Sequence, residues 1–207
     1  MIPAVVGRRM NRAVVLVDGG YFDHVNTYCS DEHGSKVDIH AFGEKITDHF
    51  GADLLRLKYY HALPHSGDEL TAAQRRENRN AQSFFDTVDG LPNCEHVDAG
   101  RVQETTEYCP NCESTYTTRS QTGTDVEIAV DLTKMALDRH SPESFVLVAG
   151  DEDLVHGVRV AKETHSNVSL GHAYDPDHSL YSQQTLRQEC DDTVNIVDGF
   201  LDSVTIR

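Results

Sequence analysis

Short, uninterrupted apolar runs alternate with longer segments of helical spacing, and this alternation constrains the fold most strongly. The runs RAVVLV (12–17) and SFVLVAG (144–150) lack the polar alternation of a half-buried strand, so each predicts a strand that is buried on both faces. Helical spacing occurs at 37–50 and at 124–140. Since strands that alternate with helices form parallel sheets with right-handed crossovers, the sequence predicts an α/β fold with a mainly parallel sheet.

The other predicted elements keep the same alternation along the 207 residues, which suffice for one domain with an insert. A helix is predicted to begin within residues 21–28, and further helices are predicted at 69–88, 151–164 and 179–189. The other predicted strands span 53–60, 167–174 and 193–197. Thr124 is the candidate N-cap of the helix at 124–140, with Glu127 three residues later as in a capping box.

Residues 92–122 have a different composition, with few large aliphatic side chains, and predict an inserted hairpin. Cys109 and Cys112 have the spacing of half a structural zinc site, and Cys94 with His96 would supply the other half of a zinc knuckle. A bare turn with reduced thiols and a redox pair are the alternatives. Because the cysteine count of 5 is odd, a complete disulfide framework is not expected.

The charge balance is strongly acidic, with 34 Asp and Glu against 18 Lys and Arg and a net charge of -16. This balance argues against nucleic-acid binding through a broad basic face, but not against RNA cleavage at a metal site, since a metal supplies its own positive charge. Two explanations of this acidic composition stay open, an ordinary acidic soluble protein and a surface adapted to a high-salt cytoplasm.

No apolar run approaches the ~18 residues of a membrane span, so no membrane partner is expected. Residues 1–11 predict a flexible tail that is too short in its apolar part for a signal peptide, which favours a cytoplasmic location. The oligomeric state, including a homodimer, stays open.

Acidic residues stand where apolar runs end. Asp18 follows VVLV, Asp151 and Asp153 follow FVLVAG, and Asp125 falls in the first turn of a predicted helix. The carboxyl ends of parallel strands share one edge of a sheet, so these four carboxylates can converge there. Crowded carboxylates repel unless a cation neutralises them, which indicates a Mg²⁺ or Mn²⁺ site. The alternative is that each aspartate simply caps a helix.

The stretches VVLVDGGYF, LKYYHALP, GTDVEIAVDLTKMA and FVLVAGDEDLVHGVRVAKE follow one another in this order, and SLYSQQTLRQECDDTVNIVDGFLD closes the series. As an ordered set covering residues 12–202, they resemble the NYN family of PIN-like domains. The resemblance implies a Rossmann-like three-layer α/β/α sandwich and a Mg²⁺- or Mn²⁺-dependent ribonuclease. It also implies that Asp18, Asp125, Asp151 and Asp153 are the catalytic metal ligands, with Asp131 as a secondary candidate.

Two features depart from the family pattern. The asparagine that often follows the first aspartate is missing, with Asn26 the nearest, and Gln121 and Thr122 stand where a basic residue often precedes the GxD segment.

The leading hypothesis is a metal-dependent endoribonuclease that cuts single-stranded RNA, and the alternative is a non-catalytic RNA- or nucleotide-binding regulatory module. A small phosphatase or nucleotide hydrolase ranks third, because the phosphate-binding glycine loops are missing. His156, His172 and His178 are candidates for acid–base steps.

Overall fold

The computed structural model describes residues 11–63, 70–112, 114–140, 142–197 and 199–206. The predicted tail at 1–11 therefore lies outside the described residues, apart from Asn11. The strands are β1 (Arg12–Asp18), β2 (Asp53–His61), β3 (Cys94–Asp98), β4 (Arg101–Tyr108), β5 (Thr115–Thr122), β6 (Ser144–Val148), β7 (Asn167–His172) and β8 (Asp192–Asn195). The α-helices are α1 (Gly19–His33), α2 (Ile39–His49), α3 (Ala72–Gly90), α4 (Thr124–Leu137), α5 (Val155–Glu163) and α6 (Gln184–Glu189). Short 3₁₀ turns occupy Glu152–Leu154, Pro176–His178 and Leu201–Ser203.

The main sheet is parallel and has the strand order β3-β2-β1-β6-β7-β8. The chain first extends the sheet on one side of β1 and then crosses to β6 on the other side. The strand order therefore reverses between β1 and β6, and this switch point leaves a crevice at the carboxyl ends of the two strands. The predicted α/β fold with a mainly parallel sheet is confirmed.

Successive residues of β1 enter two different cores. Val15 and Val17 belong to a buried cluster with apolar side chains of α1, α2 and α3, whereas Val14 and Leu16 belong to a second cluster with those of α4, α5 and α6. Burying one such side chain contributes about 1.5–3 kcal/mol, so a strand covered on both faces needs an unbroken apolar run. Helices cover both faces of the sheet, which confirms the three-layer α/β/α sandwich.

The edge strand β3 corrects the predicted insert. Residues 92–122 do not form one inserted unit, because Cys94–Asp98 pairs in parallel with residues 57–61 of β2 and belongs to the main sheet. An edge strand is partly exposed and carries polar side chains, so CEHVD gives no apolar run by which it could be recognised.

The hairpin of β4 and β5 is the part of the predicted insert that the structure retains. The two strands are antiparallel, with Arg101 opposite Thr122 at the base. Gly100 and Gly123 flank the hairpin with φ of 82° and 90°, a conformation that other residues rarely adopt. A Cβ on Gly100 would lie 2.7 Å from the Thr122 carbonyl oxygen, so the base requires this glycine. The hairpin therefore leads from the end of β3 directly into α4.

The helix predicted to begin at 21–28 is α1, which starts at Gly19 and continues as far as His33. It ends at Gly34, which has φ of 67° and donates its N–H to the Ser30 carbonyl. Among the described helices, none combines the length and the apolar character required to cross a lipid bilayer.

Candidate functional site

A cavity of about 310 Å³ lies at the switch point, beside the ends of β1 and β6. Carboxylates from three separate elements face it together with polar and aromatic groups. Its lining consists of Asp18, Gly20, Tyr21, His24, Thr124, Asp125, Gly150, Asp151, Tyr181 and Gln183. The cavity thus occupies the place where parallel α/β sheets bind ligands.

Asp18 is both the last residue of β1 and the N-cap of α1. Its Oδ1 accepts a hydrogen bond from the Tyr21 N–H at 3.3 Å. Gly19 lets the helix start directly against β2, since a Cβ there would lie 2.7 Å from the Tyr60 carbonyl oxygen. Asp18 therefore has two positions in the structure: it caps α1 and it lines the cavity.

Asp125 stands in the first turn of α4, where the helix begins at Gly123 rather than at the predicted cap. Thr124 is the first helical residue, and its hydroxyl donates to the Ala99 carbonyl at 3.3 Å. The capping-box prediction is wrong, because the left-handed Gly123 ends the hairpin and starts the helix without a side-chain cap. The positive end of the α4 dipole thus lies at the cavity beside Asp125.

Asp151 and Asp153 lie in different surroundings. Asp151 follows β6 and caps the turn Glu152–Leu154, with its Oδ1 accepting from the Asp153 N–H at 3.0 Å. Asp153 lines a neighbouring groove between α4 and α5, to which Asp125 also contributes. Three of the four predicted aspartates therefore share the cavity, and the fourth lies beside it.

Burial and repulsion from neighbouring carboxylates disfavour the charged forms of Asp18 and Asp125. Burial raises the pKa of Asp18 to about 6, and the nearby Asp125 adds to the rise, while the hydrogen bond from Tyr21 opposes it. Burial also raises the pKa of Asp125, and repulsion from the charges of Asp151 and Asp153 raises it further. A cation between the carboxylates would remove this repulsion.

The chemistry of the lining suits Mg²⁺ or Mn²⁺, because both ions prefer oxygen ligands and carboxylates in particular. Among the described residues that line the cavity, none is a lysine or an arginine that could neutralise the aspartates. In the described parts of the chain, however, no three His, Cys, Asp or Glu side chains converge tightly enough to form a ready-made metal site. Joint coordination therefore requires the aspartates to close around the cation.

The predicted zinc ligands fall into two separate places. Cys94 and His96 lie on β3, where Cys94 is buried and the His96 ring stacks on Phe85 with 4.0 Å between centroids. Cys109 and Cys112 lie at the far end of the hairpin, where Cys112 Sγ contacts Ser114 Oγ at 2.9 Å. The described residues form no zinc-binding group of three or more ligands. The strand pairing of β3 explains this result, since it commits Cys94 and His96 to the main sheet.

Sequence reasoning missed the histidine at the cavity. His24 of α1 lines it, whereas His156 lies in the neighbouring groove and His172 is buried. Helical spacing carried the signal, because Gly20 and His24 are four residues apart on a helix and lie on the same face.

Tyr181 and Gln183 were also missed, because the predicted helix at 179–189 begins only at Gln184, and both residues belong to the irregular segment before it. The Gln183 N–H donates to the Gly150 carbonyl at 2.8 Å and attaches this segment to the end of β6. The predicted helix would not have placed these two side chains at the cavity, since their position depends on this hydrogen bond to the end of β6.

Asp131, the secondary candidate, is not among the residues that line the cavity. It accepts hydrogen bonds from Lys58 Nζ at 2.5 Å and from the Tyr60 hydroxyl at 3.0 Å, both on β2. Asn26, the asparagine nearest to Asp18 in sequence, has a structural contact, since its Oδ1 accepts a hydrogen bond from the Val37 N–H at 3.1 Å. These residues fix helices to their surroundings.

Comparison with known families agrees with this geometry. No curated protein matches the chain. A family model described as the NYN domain matches residues 12–197, from the first strand to the end of the main sheet. This range contains all the aspartates at and beside the cavity. The chain therefore belongs to the NYN domain family, whose PIN-like nuclease fold it shares.

Proposed function

We propose that this protein is a Mg²⁺- or Mn²⁺-dependent endoribonuclease that hydrolyses phosphodiester bonds in single-stranded RNA. One observation carries the proposal: Asp18, Asp125 and Asp151 come from three elements of a nuclease-family fold and line a single cavity at its switch point. Capping would account for each aspartate separately, but not for their meeting around one cavity.

Each lining group has a role in this mechanism. Asp18, Asp125 and Asp151 would hold the cation, which, when bound, would supply positive charge for the phosphodiester and make a bound water more acidic. The uncapped first turn of α4 provides backbone N–H groups for a phosphate oxygen. The exposed imidazole of His24 is positioned to transfer a proton at the rim.

The test is cleavage of a fluorescent single-stranded RNA by the wild type and by Asp151→Asn. The substitution keeps the side-chain volume and a capping oxygen but removes one charge from the cation site, so Mn²⁺-dependent cleavage should fall by at least about 100-fold. Asp31→Asn is the matched control, because Asp31 is an exposed carboxylate of α1 outside the cavity. It should leave the rate unchanged.

Two results would contradict the proposal. Full activity of Asp151→Asn would remove this residue from the mechanism, provided that its unfolding midpoint equals that of the wild type. Failure of the wild type to cut RNA in Mg²⁺ or Mn²⁺ would reject the nuclease itself. A DNA strand of the same sequence, tested in parallel, measures the preference for RNA.

The second candidate function is a non-catalytic RNA- or nucleotide-binding regulatory module. It is favoured by the acidic lining of the cavity, to which the described residues contribute no lysine or arginine, and by the net charge of -16. RNA binding that persists in EDTA, with no cleavage in any divalent cation, would select this function.

A further inference from the structure

An exposed aromatic ring at the rim of the cavity lies beside a second exposed ring. Tyr181 lines it and is 58% exposed, and Tyr174 is 45% exposed. Their ring centroids are 6.4 Å apart at an interplanar angle of 77°. We call these two residues the tyrosine pair. Exposing two large rings next to each other leaves apolar surface in water at the entrance to the candidate active site.

The backbone places the two rings side by side. Asp175 and Leu180 form an antiparallel bridge, in which each N–H donates to the carbonyl of the other at 3.1 and 2.9 Å. In an antiparallel pair, the residues that flank the bridge, here Tyr174 and Tyr181, are opposite each other. Leu180 and Ser182 are buried on either side of Tyr181, so the alternation of an extended strand turns the Tyr181 ring outward.

Hydrogen bonds attach both ends of the segment 174–183 to the main sheet. The Tyr174 N–H donates to Asn195 Oδ1 at 3.1 Å, and the Asn195 amide donates to the Tyr174 carbonyl at 3.3 Å. At the other end, the Gln183 N–H donates to the Gly150 carbonyl at 2.8 Å. The rings are therefore exposed on a fixed backbone, which lowers the entropy lost when a ligand binds to them.

The side chain of Arg187 lies next to the tyrosine pair. The Arg187 guanidinium lies 5.7 Å from the Tyr174 ring centroid, within cation–π distance. The Arg187 Nε is buried and has no hydrogen-bond partner among the described residues. The buried Nε is not itself accessible to a ligand, but the positive charge of the guanidinium next to the exposed Tyr174 ring favours the phosphates that flank a stacked base.

We propose that the tyrosine pair is a stacking subsite for an unpaired nucleobase of the strand whose phosphodiester enters the cavity. This inference rests on the proposed action on RNA. Every nucleobase has a flat face, so stacking binds single strands of any sequence, whereas a base-paired duplex offers no free face. The subsite thereby selects single-stranded substrate and sets the position of the cut relative to the stacked base.

Stacking also explains how so acidic a chain could retain RNA. A protein that binds through phosphates loses affinity steeply as salt rises, because binding releases counterions. With a net charge of -16, such contacts are few, and a large share of the affinity must come from contacts that salt does not screen. The dependence of affinity on salt should accordingly be shallow.

The test measures binding of a fluorescent single-stranded oligouridine in EDTA, where no cleavage can occur, to the wild-type chain and its variants. Tyr181→Ala should weaken binding about tenfold, the equivalent of one lost stacking contact. Tyr181→Phe keeps the ring and should remain within about twofold of the wild type. Tyr108→Ala is the matched control, because Tyr108 is 60% exposed but lies at the end of the hairpin strand β4.

A second measurement detects stacking directly. An oligonucleotide with 5-iodouridine, which cross-links to aromatic rings that stack on it, should be cross-linked to Tyr181 or Tyr174 under long-wavelength light. Mass spectrometry of the peptide identifies the site. A merely structural role of the tyrosines would give no cross-link.

The outcomes separate this inference from the nuclease proposal. Wild-type cleavage with unchanged binding by Tyr181→Ala and Tyr174→Ala overturns the stacking subsite and leaves the nuclease intact. Tyrosine-dependent binding and cross-linking without cleavage in any divalent cation overturn the nuclease and support the subsite. The subsite is rejected if the wild type does not bind RNA. It is also rejected if the alanine substitutions change only the oligomeric state, as measured by sedimentation, and not the affinity for RNA.

Discussion

Tyr21 shows how one side chain connects the parts of the site. Its hydroxyl accepts from the Ala173 N–H at 2.7 Å and donates to the Ala173 carbonyl at 3.1 Å. Its ring fills the space over Gly150, where a Cβ would overlap with it. Burial raises the pKa of Tyr21 to about 12, so the hydroxyl keeps its proton at neutral pH. The ends of β6 and β7 are thereby joined to the helix that Asp18 caps.

His178 makes the first prediction at the scale of residues, a dependence on pH. Its Nδ1 contacts Asp175 at 2.9 Å, its Nε2 contacts Glu32 at 3.1 Å, and its ring packs on Tyr28. The hydrogen bond to Asp175 raises the pKa of His178 above its usual value of 6.5, and Glu32 adds to the rise. The ion pairs therefore stabilise the fold fully below pH 6.5, and this stabilisation is lost as the pH rises through the higher pKa of the folded state.

The comparison that checks this is thermal unfolding of the wild type and His178→Gln between about pH 6 and pH 9, a range that spans the histidine titration. The wild type should be the more stable at the acidic end, and the difference should shrink towards the alkaline end. An NMR titration that puts the pKa of His178 at or below 6.5 would contradict the assignment.

At the scale of elements, the position of α4 decides where Asp125 lies. Asp131, on the same helix, joins it to β2 through Lys58 and Tyr60. Burial alone would raise the pKa of Asp131, but the hydrogen bonds and charge of Lys58, with Tyr60, hold the pKa below its usual value. The carboxylate is therefore charged and fixes the helix against the sheet.

Asp131→Asn should lower the free energy of unfolding by about 1–3 kcal/mol, because it leaves the mostly buried Lys58 ammonium without its nearest counter-charge. Urea unfolding measures the change, with Asp31→Asn as the exposed control. Replacing both partners, as in Lys58→Met with Asp131→Leu, should recover part of the loss. A single variant as stable as the wild type would show that the pair does not hold α4.

Elements with an uninterrupted apolar run or with helical spacing of apolar residues could be predicted from the sequence, and elements without such a pattern could not. The buried strands β1 and β6, and with them the positions of Asp18 and Asp151, followed from VVLV and FVLVAG. The edge strand β3 did not, because its partly exposed side chains are polar. The cavity lining was predictable where a residue ends a strand or starts a helix. The position of Tyr181 was not predicted, because the sequence assigned it to a helix, whereas it follows a bridge between Asp175 and Leu180 in a loop.

At the scale of the whole molecule, the net charge of -16 predicts a dependence of stability on salt. Repulsion between like charges destabilises the compact state, and salt screens it, with a Debye length that falls from about 10 Å at 0.1 M to about 3 Å at 1 M. The unfolding midpoint should therefore rise with KCl, by about 2–4 °C for each kcal/mol of repulsion removed. Sucrose is the uncharged control, and a midpoint that falls in KCl would contradict the prediction.

The two ends of the hairpin meet at Arg101 and Thr122, immediately before the segment that carries Asp125. Its strands can therefore lengthen, shorten or change sequence during evolution while both attachment points stay where they are. Different relatives can thus acquire different appendages at this position, each held close to the same carboxylate and none altering the distance between the aspartates.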